Sequence, residues 1–465
     1  MPKRPSPLEV YALLPKINCG KCGESSCMAF AIKLLEKTQE LNKCTELDDS
    51  KYKEQRLKLT DLIAPPVSAI VIGTGEKAVT IGGEEVMYRH ELTYYHPTAI
   101  AILVDADAPE AELLNRVKAI QDFQIIRVGQ SLTLDCIAVR CVSGDAGKFS
   151  NAVSLIVKHA KMPLILCSLN PNVLEAGLAV AKDVRPLIYA ATKDNWKQVG
   201  ELALKYNCPV AIFAQNDLKL LRSIANTFIK MGVSHIALDP GTSPEAGLDD
   251  TINNFTMLRR SAIEKGDKLL GFPIVGVPAT VWIKPEATPE LTKWKETCLA
   301  SMLLARYANL LIMYTLDTWT LLPLLTLRQN IYTDPRKPVA VDPGLREFGK
   351  PDAQAPVMLT SNFSLTYYTV ASDIESAKID CYLLVVDTEG LSVQTSVAGK
   401  KLTPDKVAEI IKKTGIESKV KHRKLVIPGY AARLRGDLED LTGWQVLVGP
   451  IDSSGIPKFL NEKWR

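Results

Sequence analysis

The sequence lacks several features that would place it in a functional class at once. Its net charge is only +4 over 465 residues, with no basic tail and no block of like charges, so nucleic acid is not an expected partner. Its most apolar region, 307–327, is interrupted by Asp317 and Pro323 and falls short of the ~18 apolar residues of a membrane span. The first residues show no secretory signal pattern. We therefore expect a cytoplasmic protein with no membrane partner.

The C-terminal part of the chain also lacks the common nucleotide-binding motifs. Beyond residue 356 there is neither G-x-G-x-x-G nor G-x-x-x-x-G-K-[ST], so a dinucleotide site is poorly supported and a P-loop is excluded. We find no internal repeat and no low-complexity segment. Length suggests about three domains.

The longest region, 58–327, alternates short apolar runs with stretches of helical periodicity. Eight runs qualify as strands, from "AIAILVDAD" to "NLLIMYTL", and several are continuously apolar, as parallel strands buried on both faces are. Eight such units over about 250 residues predict a TIM (β/α)8 barrel; an open doubly wound sheet is the alternative. The segment "VSAIVIGTGEKAVTIGGEEV" predicts a hairpin that caps the barrel.

A proline-rich stretch, 328–356, is predicted to be a linker with extended and turn character. Residues 357–465 contain four apolar strands separated by helices and predict a small Rossmann-like α/β domain. One helix is well marked, with Thr403 as N-cap, Pro404 at its first position and Gly415 at its end.

Near the start, residues 1–57 form a cysteine-rich segment. Cys19, Cys22, Cys27 and Cys44 have the spacing C-x2-C-x4-C-x16-C. Disulfides are disfavoured in a reducing compartment. Zinc sites usually pair two short knuckles, whereas three close cysteines with one distant cysteine are typical of [4Fe–4S] sites. The spacing thus favours a cluster over zinc.

Local residues fit this interpretation. Gly20 and Gly23 permit tight turns, and Ser25 or Ser26 can cap a helix that begins near Cys27 and points its positive end at an anionic cluster. Cys44 can return to the site only if that helix is short, about 11 residues. The remaining cysteines are expected to be small buried side chains: Cys136, Cys141, Cys167, Cys208, Cys298 and Cys381.

Three loops follow predicted strands of the C-terminal domain, where open α/β sheets bind ligands. "LTSNFSLTYYTV" is rich in small and hydroxyl side chains, and two others, "IPGYAARLRG" and "VGPIDSSGIPK", contain Gly429 and Gly449. Ordinary turn chemistry explains such loops equally well.

Taken together, these motifs resemble one family. The C-x2-C-G-x3-C segment, T-S-N-F-S-L-T-Y-Y and G-P-x-D-S-S-G-I-P-K are similar to those of the large (gamma) subunit of the corrinoid iron–sulfur protein of the reductive acetyl-CoA pathway, and the resemblance covers essentially the whole chain. It implies a [4Fe–4S] domain, a TIM barrel and a C-terminal corrinoid-binding domain.

The resemblance also implies a function. A cobalamin-type corrinoid would take a methyl group, as cobalt(I), from methyltetrahydrofolate on a separate methyltransferase and pass it to acetyl-CoA synthase. The cluster, supplied by a low-potential electron donor, would reduce accidentally oxidised cobalt(II). A small TIM-barrel subunit would complete a heterodimer, and no catalytic acid or base is expected on this chain.

Many other corrinoid domains carry an Asp-x-His-x-x-Gly motif whose histidine binds cobalt. None of the five histidines here lies in such a motif, and only His422 falls in the last domain. A cobalt without that ligand is easier to reduce. Carried over by the resemblance, the residues expected to contact the corrinoid and its tail are Thr360, Asn362, Phe363, Ser364, Leu365, Thr366, Tyr367, Tyr368, Gly429, Tyr430, Gly449, Pro450, Asp452 and Ser453.

Two other functions stay open. Asp239, in "LDPGTS", resembles the strand-end aspartate of pterin-binding barrels, so the chain could be a folate-dependent methyltransferase with an accessory cluster. It could also be a plain electron-transfer protein on a barrel scaffold.

Overall fold

The computed structural model describes residues 5–464, which divide into two compact units. One comprises the chain to Gln124 together with Thr133–Tyr332. The other comprises Ile125–Leu132 and the chain from Thr333 onward. Within the described residues, no helix combines the length and apolarity required to cross a membrane.

The cysteine-rich segment folds around its own small core. Its helices are Pro7–Leu13, Cys27–Leu35 and Lys53–Ile63, with single 3-10 turns at Leu41–Lys43, Thr45–Asp48 and Ser50–Tyr52. Val10, Phe30 and Leu59 are almost fully buried together. Because Leu59 belongs to this core, the third helix crosses the boundary expected at residue 57.

The middle of the chain is a parallel eight-stranded barrel, as predicted. All eight predicted runs are strands, and a bridge between Leu238 and Ile274 joins the sheet's two ends. The strands are Ala99–Asp105, Cys136–Arg140, Leu164–Cys167, Leu187–Ala191, Val210–Phe213, Ile236–Asp239, Val275–Gly276 and Leu310–Met313. Eight helices surround them, namely Glu110–Gln121, Ala146–His159, Pro171–Ala181, Trp196–Tyr206, Leu218–Met231, Leu248–Ile263, Pro289–Ala305 and Thr318–Tyr332.

Small residues inside the barrel make room for the predicted hairpin. Its strands, Ile70–Ile72 and Val79–Ile81, pair antiparallel, and their isoleucines pack with Ala99, Ala101 and Ala237 of the barrel strands. Barrel interiors are usually filled by larger branched side chains. Here the hairpin supplies that volume and closes one end.

A second hairpin, which the sequence did not reveal, is formed by Gln124–Arg127 and Gln130–Thr133. Residues 125–132 group with the C-terminal unit. There Gly129, in the left-handed region at φ 68°, lies so close to the ring of Tyr368 that a Cβ would overlap it.

The C-terminal unit is built on a five-stranded sheet. In spatial order its strands are Gly344–Phe348, Cys381–Val386, Val357–Ser361, Lys424–Ile427 and Gln445–Val448. The first is antiparallel to its neighbour and the others are parallel. This is a doubly wound arrangement whose switch point lies between Val357–Ser361 and Lys424–Ile427.

The stretch 328–356, which was expected to be a linker, contains regular secondary structure in two places. Its first residues complete the barrel helix Thr318–Tyr332, and Gly344–Phe348 is the edge strand of the sheet. Proline-rich sequence hid the strand, since an edge strand tolerates flanking prolines that a central strand does not.

Helices cover both faces of this sheet. They are Ser364–Ser376, Val393–Ala398, Pro404–Thr414, Ile416–Lys419, Arg435–Thr442 and Ile456–Lys463. Thr403 caps the third as predicted, since its side chain accepts from the Lys406 amide, and Gly415 ends that helix at φ 63°. The capped helix buries Val407, Ile410 and Ile411 against the sheet.

Candidate functional site

The four clustered cysteines surround one small cavity. Cys19 is exposed, Cys22 and Cys27 are partly buried, and Cys44 is buried. Burial raises the pKa of the Cys44 thiol, and the three neighbouring cysteines raise it further. Among the described residues no three His, Cys, Asp or Glu side chains are already arranged as metal ligands. The four thiols share a cavity, and a positively charged iron or zinc centre would stabilise them as thiolates.

Local conformations turn the chain around this cavity. Gly20 and Gly23 adopt φ values of 71° and 85°, which side chains with a Cβ rarely adopt. Asn18 accepts a hydrogen bond of 2.8 Å from the Cys27 amide through its side chain. Ser26 is the N-cap of the helix, so the helix start faces the cavity as predicted.

Helix length agrees with the predicted return of Cys44. The helix is nine residues long and ends at Leu35, and Lys37 reverses the chain at φ 57°. The turn Leu41–Lys43 then delivers Cys44 to the cavity wall. Of the six other cysteines, Cys136, Cys208 and Cys381 are buried and the remaining three are partly exposed.

A larger cavity, of about 370 Å³, lies at the carboxyl ends of the C-terminal sheet. The ladder between the two strands at the switch point is short and pairs Met358 with Val426. Both residues line the cavity, together with Leu359, Leu383 and Ile427. The cavity therefore reaches down between the strands and has an apolar floor.

Eight of the fourteen predicted contact residues line this cavity. They are Thr360, Leu365, Thr366, Tyr430, Gly449, Pro450, Asp452 and Ser453. They come from the ends of three strands that are far apart in sequence, so the sheet has brought three predicted loops together. Asp452 also accepts from the Ser454 amide, and hydrogen bonding to Ser454 lowers its pKa.

The other six predicted residues do not line it, and two of them have structural tasks. The Asn362 side chain accepts from the amides of Thr388 and Gly390 and so fixes the next strand-end turn. A Cβ on Gly429 would meet Ile451 and the Gly449 carbonyl, so this glycine permits loop packing rather than ligand approach. The remaining four are Phe363, Ser364, Tyr367 and Tyr368.

One polar atom in the cavity has no partner within the described structure. The Thr360 side chain lines the cavity, is 1% exposed, and its hydroxyl makes no hydrogen bond. An unsatisfied buried hydroxyl costs about 1–3 kcal/mol. The Thr360 hydroxyl therefore has its hydrogen-bonding capacity unused within the described structure.

Sequence reasoning missed one contributing loop. Ser392, Val393 and Gln394 line the cavity and follow the strand Cys381–Val386. The same strand-end rule that selected the other loops would have selected "DTEGLSVQTS".

His422 does not approach this cavity. Its Nε2 lies 3.0 Å from the Ala355 carbonyl, and its Nδ1 lies 3.2 Å from the Lys424 amide nitrogen. Both ring nitrogens of His422 are therefore engaged by the backbone. The residues that line the cavity include no histidine.

The barrel contains a separate buried carboxylate at a strand end. Asp239 is fully buried; Tyr189 donates a 2.6 Å hydrogen bond to it and the Gly241 amide a 2.7 Å one. Burial raises the pKa of Asp239 to about 6 despite these two hydrogen bonds.

Comparison with known proteins gives full-length relatives. The chain is 48% identical to the acetyl-CoA decarbonylase/synthase complex subunit gamma of Methanothermobacter thermautotrophicus, over 98% of both chains. It is 47% identical to that of Methanosarcina acetivorans, over 99% of this chain and 98% of that one. It is 45% identical to that of Archaeoglobus fulgidus, again over 99% and 98%.

Two family models match as well. The CO dehydrogenase/acetyl-CoA synthase delta subunit model covers residues 69–460, and an Fe-S cluster model covers residues 14–46, which include all four clustered cysteines. The first model bears the name of a delta subunit although the full-length relatives are gamma subunits. The full-length relatives also cover the cysteine segment, which the first model does not reach.

Among solved structures, the chain is similar to dihydropteroate synthases. The enzyme from Xanthomonas albilineans is 14% identical, covers 51% of this chain and 95% of that one, and has a TM-score of 0.38. That from Thermus thermophilus gives the same TM-score and identity. At this level the likeness says nothing of function.

Proposed function

Because the chain belongs to the family of acetyl-CoA decarbonylase/synthase gamma subunits and carries that family's iron–sulfur segment, we propose that it is the corrinoid-carrying methyl carrier of this complex. Methyltetrahydrofolate on a methyltransferase would be the methyl source and acetyl-CoA synthase the recipient. A small barrel subunit and a low-potential electron donor would complete the system.

The switch-point cavity is the observation that carries this proposal. Its apolar floor between the strands suits a flat aromatic group such as the base of a nucleotide tail, and Thr360 offers the hydroxyl that has no protein partner. Tyr430, 48% exposed, stands at its rim, where an aromatic ring can cover the edge of a large planar ligand.

The residues that line the cavity therefore fit the nucleotide tail of a corrinoid. When bound, the corrinoid would supply the cobalt centre that accepts and releases a methyl group. The chain would hold the tail through Thr360, Thr366 and Ser453 and exclude water with Met358 and Ile427. With both nitrogens of His422 engaged by the backbone, the chain offers no imidazole from this residue to the cobalt.

The cysteine cavity fits an iron–sulfur cluster in the same sense. Cys19, Cys22, Cys27 and Cys44 would bind it, and the amides at the start of Cys27–Leu35 would stabilise its negative charge. The exposed Cys19 marks the side from which an electron donor could approach.

Metal content tests the proposal. The complex of this chain with its small subunit, purified without oxygen, should contain about one cobalt and about four iron atoms per chain, with a corrinoid spectrum. Iron without cobalt would leave a plain electron-transfer protein, and zinc in place of iron would exclude the cluster.

The buried Asp239 favours a second candidate, a barrel that itself binds the pterin of the methyl donor. Barrel enzymes carry their functional groups at the carboxyl ends of the barrel strands, and the buried carboxylate of Asp239 lies at such an end. Binding of methyltetrahydrofolate to the full chain, abolished in Asp239→Ala, would support it. An unchanged affinity in that variant, or no binding to the wild type, would place the pterin on the partner enzyme.

A further inference from the structure

A carboxylate lies in the wall of the cysteine cavity, where a negative charge is unfavourable. Glu24 lines this cavity together with the four cysteines, and its side chain is 9% exposed. A cluster held by four thiolates carries negative charge of its own. The helix start at Cys27–Leu35 attracts such a centre, whereas a nearly buried carboxylate beside it repels the centre. Glu24 therefore opposes the charge that the rest of the site is built to hold.

Two side chains that do not themselves line the cavity hold the Glu24 carboxylate in place. Its Oε1 accepts from Lys33 Nζ at 2.9 Å and from Gln39 Nε2 at 3.0 Å. Lys33 lies in the helix Cys27–Leu35, and Gln39 follows the turn at the end of that helix. The ammonium group favours the ionised carboxylate. These two bonds give Glu24 a fixed position and a fixed charge.

A second carboxylate at the cavity is arranged differently. Glu46 also lines the cavity, but its side chain is 22% exposed, and its partner Lys21, 2.6 Å away, lines the cavity with it. Both Lys21 and Lys33 are largely open to solvent, yet only Lys21 belongs to the cavity wall. The charges of Glu46 and Lys21 therefore offset each other at the wall. The charge of Glu24 faces the cavity without its partner.

Charges close to a cluster change its reduction potential. Transfer of one electron from a low-potential donor to the cluster adds one negative charge to the thiolate-bound centre. Passage of that electron to cobalt(II) gives cobalt(I) and returns the cluster to its oxidised state. A fixed negative charge in the wall opposes the first step, and more strongly where water is excluded. The reduced cluster is then a stronger reductant.

We propose that Glu24 holds the reduction potential of the cluster at a low value, an inference that rests on the iron–sulfur site of the proposed function. Glu24 is not a ligand of the cluster. It acts through its charge on the centre that the four cysteines hold. Lys33 and Gln39 orient the carboxylate, as the hydrogen-bond partners behind the ligands of metal sites do.

Redox titration of the cluster in matched variants tests this inference. The sample is the complex of the full chain with its small subunit, purified without oxygen, and the reading is the electron paramagnetic resonance signal of the reduced cluster. Glu24→Gln keeps the size of the side chain and an acceptor for Lys33 and Gln39 but removes the charge. It should favour the reduced cluster by about tenfold, which for one electron is a rise of about 59 mV.

Two further variants complete the test. Glu36→Gln is the control, because Glu36 is exposed at the end of the same helix and does not line the cavity; it should change the equilibrium less than about twofold, since solvent screens it. Lys33→Gln removes the positive partner of Glu24 and should shift the equilibrium towards the oxidised cluster. Iron content and circular dichroism establish that each variant folds and holds its cluster.

An unchanged potential in folded, iron-containing Glu24→Gln would overturn the inference and leave the proposed function intact. Loss of iron from this variant would also overturn it, since Glu24 would then hold the cysteine loop rather than set the potential. So would shifts in the same direction in Glu24→Gln and Lys33→Gln, because opposite charges must act in opposite directions. Zinc in place of iron in the wild type would contradict the proposed function itself.

Discussion

Two adjacent residues at the end of a strand in the C-terminal sheet differ in whether they line the cavity. Thr360 and Ser361 are adjacent and buried, and neither hydroxyl has a hydrogen-bond partner in the described structure. Only Thr360 lines the cavity. The pair therefore provides an internal comparison between a hydroxyl that faces a ligand and one that does not.

We predict that Thr360→Val leaves the chain as stable as the wild type or more stable, because it removes an unsatisfied buried hydroxyl. The same variant should bind the corrinoid roughly tenfold more weakly, the value of one hydrogen bond. Equilibrium titration followed by absorbance measures this. Ser361→Ala should alter stability in the same direction but not corrinoid affinity; equal weakening in both variants would contradict the assignment.

Asp239 predicts a pH dependence. Its pKa of about 6 in the folded chain exceeds the ordinary value near 3.9, so the folded state favours the protonated carboxyl. The stability from this group is complete below about pH 4 and is lost as the pH rises through 6, a change of about 3 kcal/mol. Asp239→Asn should remove this change.

Infrared difference spectra of wild type minus Asp239→Asn should show a protonated carboxyl band that disappears with a midpoint near pH 6. Asp105, partly exposed at another strand end and paired with Arg140, provides the comparison through Asp105→Asn. A midpoint near pH 4 for Asp239 would show that burial does not govern its titration.

At the scale of elements, the cysteine loop and the helix behind it form a unit for one cofactor. The loop supplies three cysteines, the short helix turns the chain, and Cys44 completes the cavity wall. The switch-point cavity is lined by residues between Met358 and Ile456, which all belong to the C-terminal unit. Loss of the cluster should therefore leave the proposed corrinoid site intact.

Cys22→Ala tests this separation. The variant should lose most of its iron, retain its cobalt, and keep methyl transfer when the cofactor is reduced chemically, but fail to be reactivated by a low-potential protein donor. Cys298→Ala, which changes a partly exposed cysteine on a barrel helix, serves as the control and should lose nothing. Equal loss of both activities in Cys22→Ala would mean that the cluster is structural.

At the scale of the whole molecule, the chain consists of two units with separate hydrophobic cores. A ligand stabilises the unit that binds it, by about 2.7 kcal/mol at a concentration one hundred times its Kd. Corrinoid binding should therefore stabilise the C-terminal unit selectively.

We expect two thermal transitions in the full chain, of which only one rises with corrinoid, by roughly 10 °C. Trp444 and Trp464 lie in the C-terminal unit and report on it by fluorescence, and Trp444→Phe identifies their signal. Parallel shifts of both transitions would show that the units unfold together.

Much of this architecture was determined by local sequence. Strand runs such as "PLILCSL" are apolar on both faces, and only a parallel sheet covered on both sides accommodates them, so all eight barrel strands were predictable. The cysteine site was also predictable from local sequence. The spacing of the four cysteines indicated a shared site, and Ser26 marked the start of the short helix between them.

Tertiary structure alone decided which candidate residues share a cavity. Asn362 and Thr366 are equally small and polar in the sequence, yet the first is engaged by a neighbouring turn and the second faces the cavity. The edge strand Gly344–Phe348 was equally hidden in the sequence. Pairing, burial and exposure depend on contacts between distant segments, and sequence periodicity records only which residues are apolar, not what covers them.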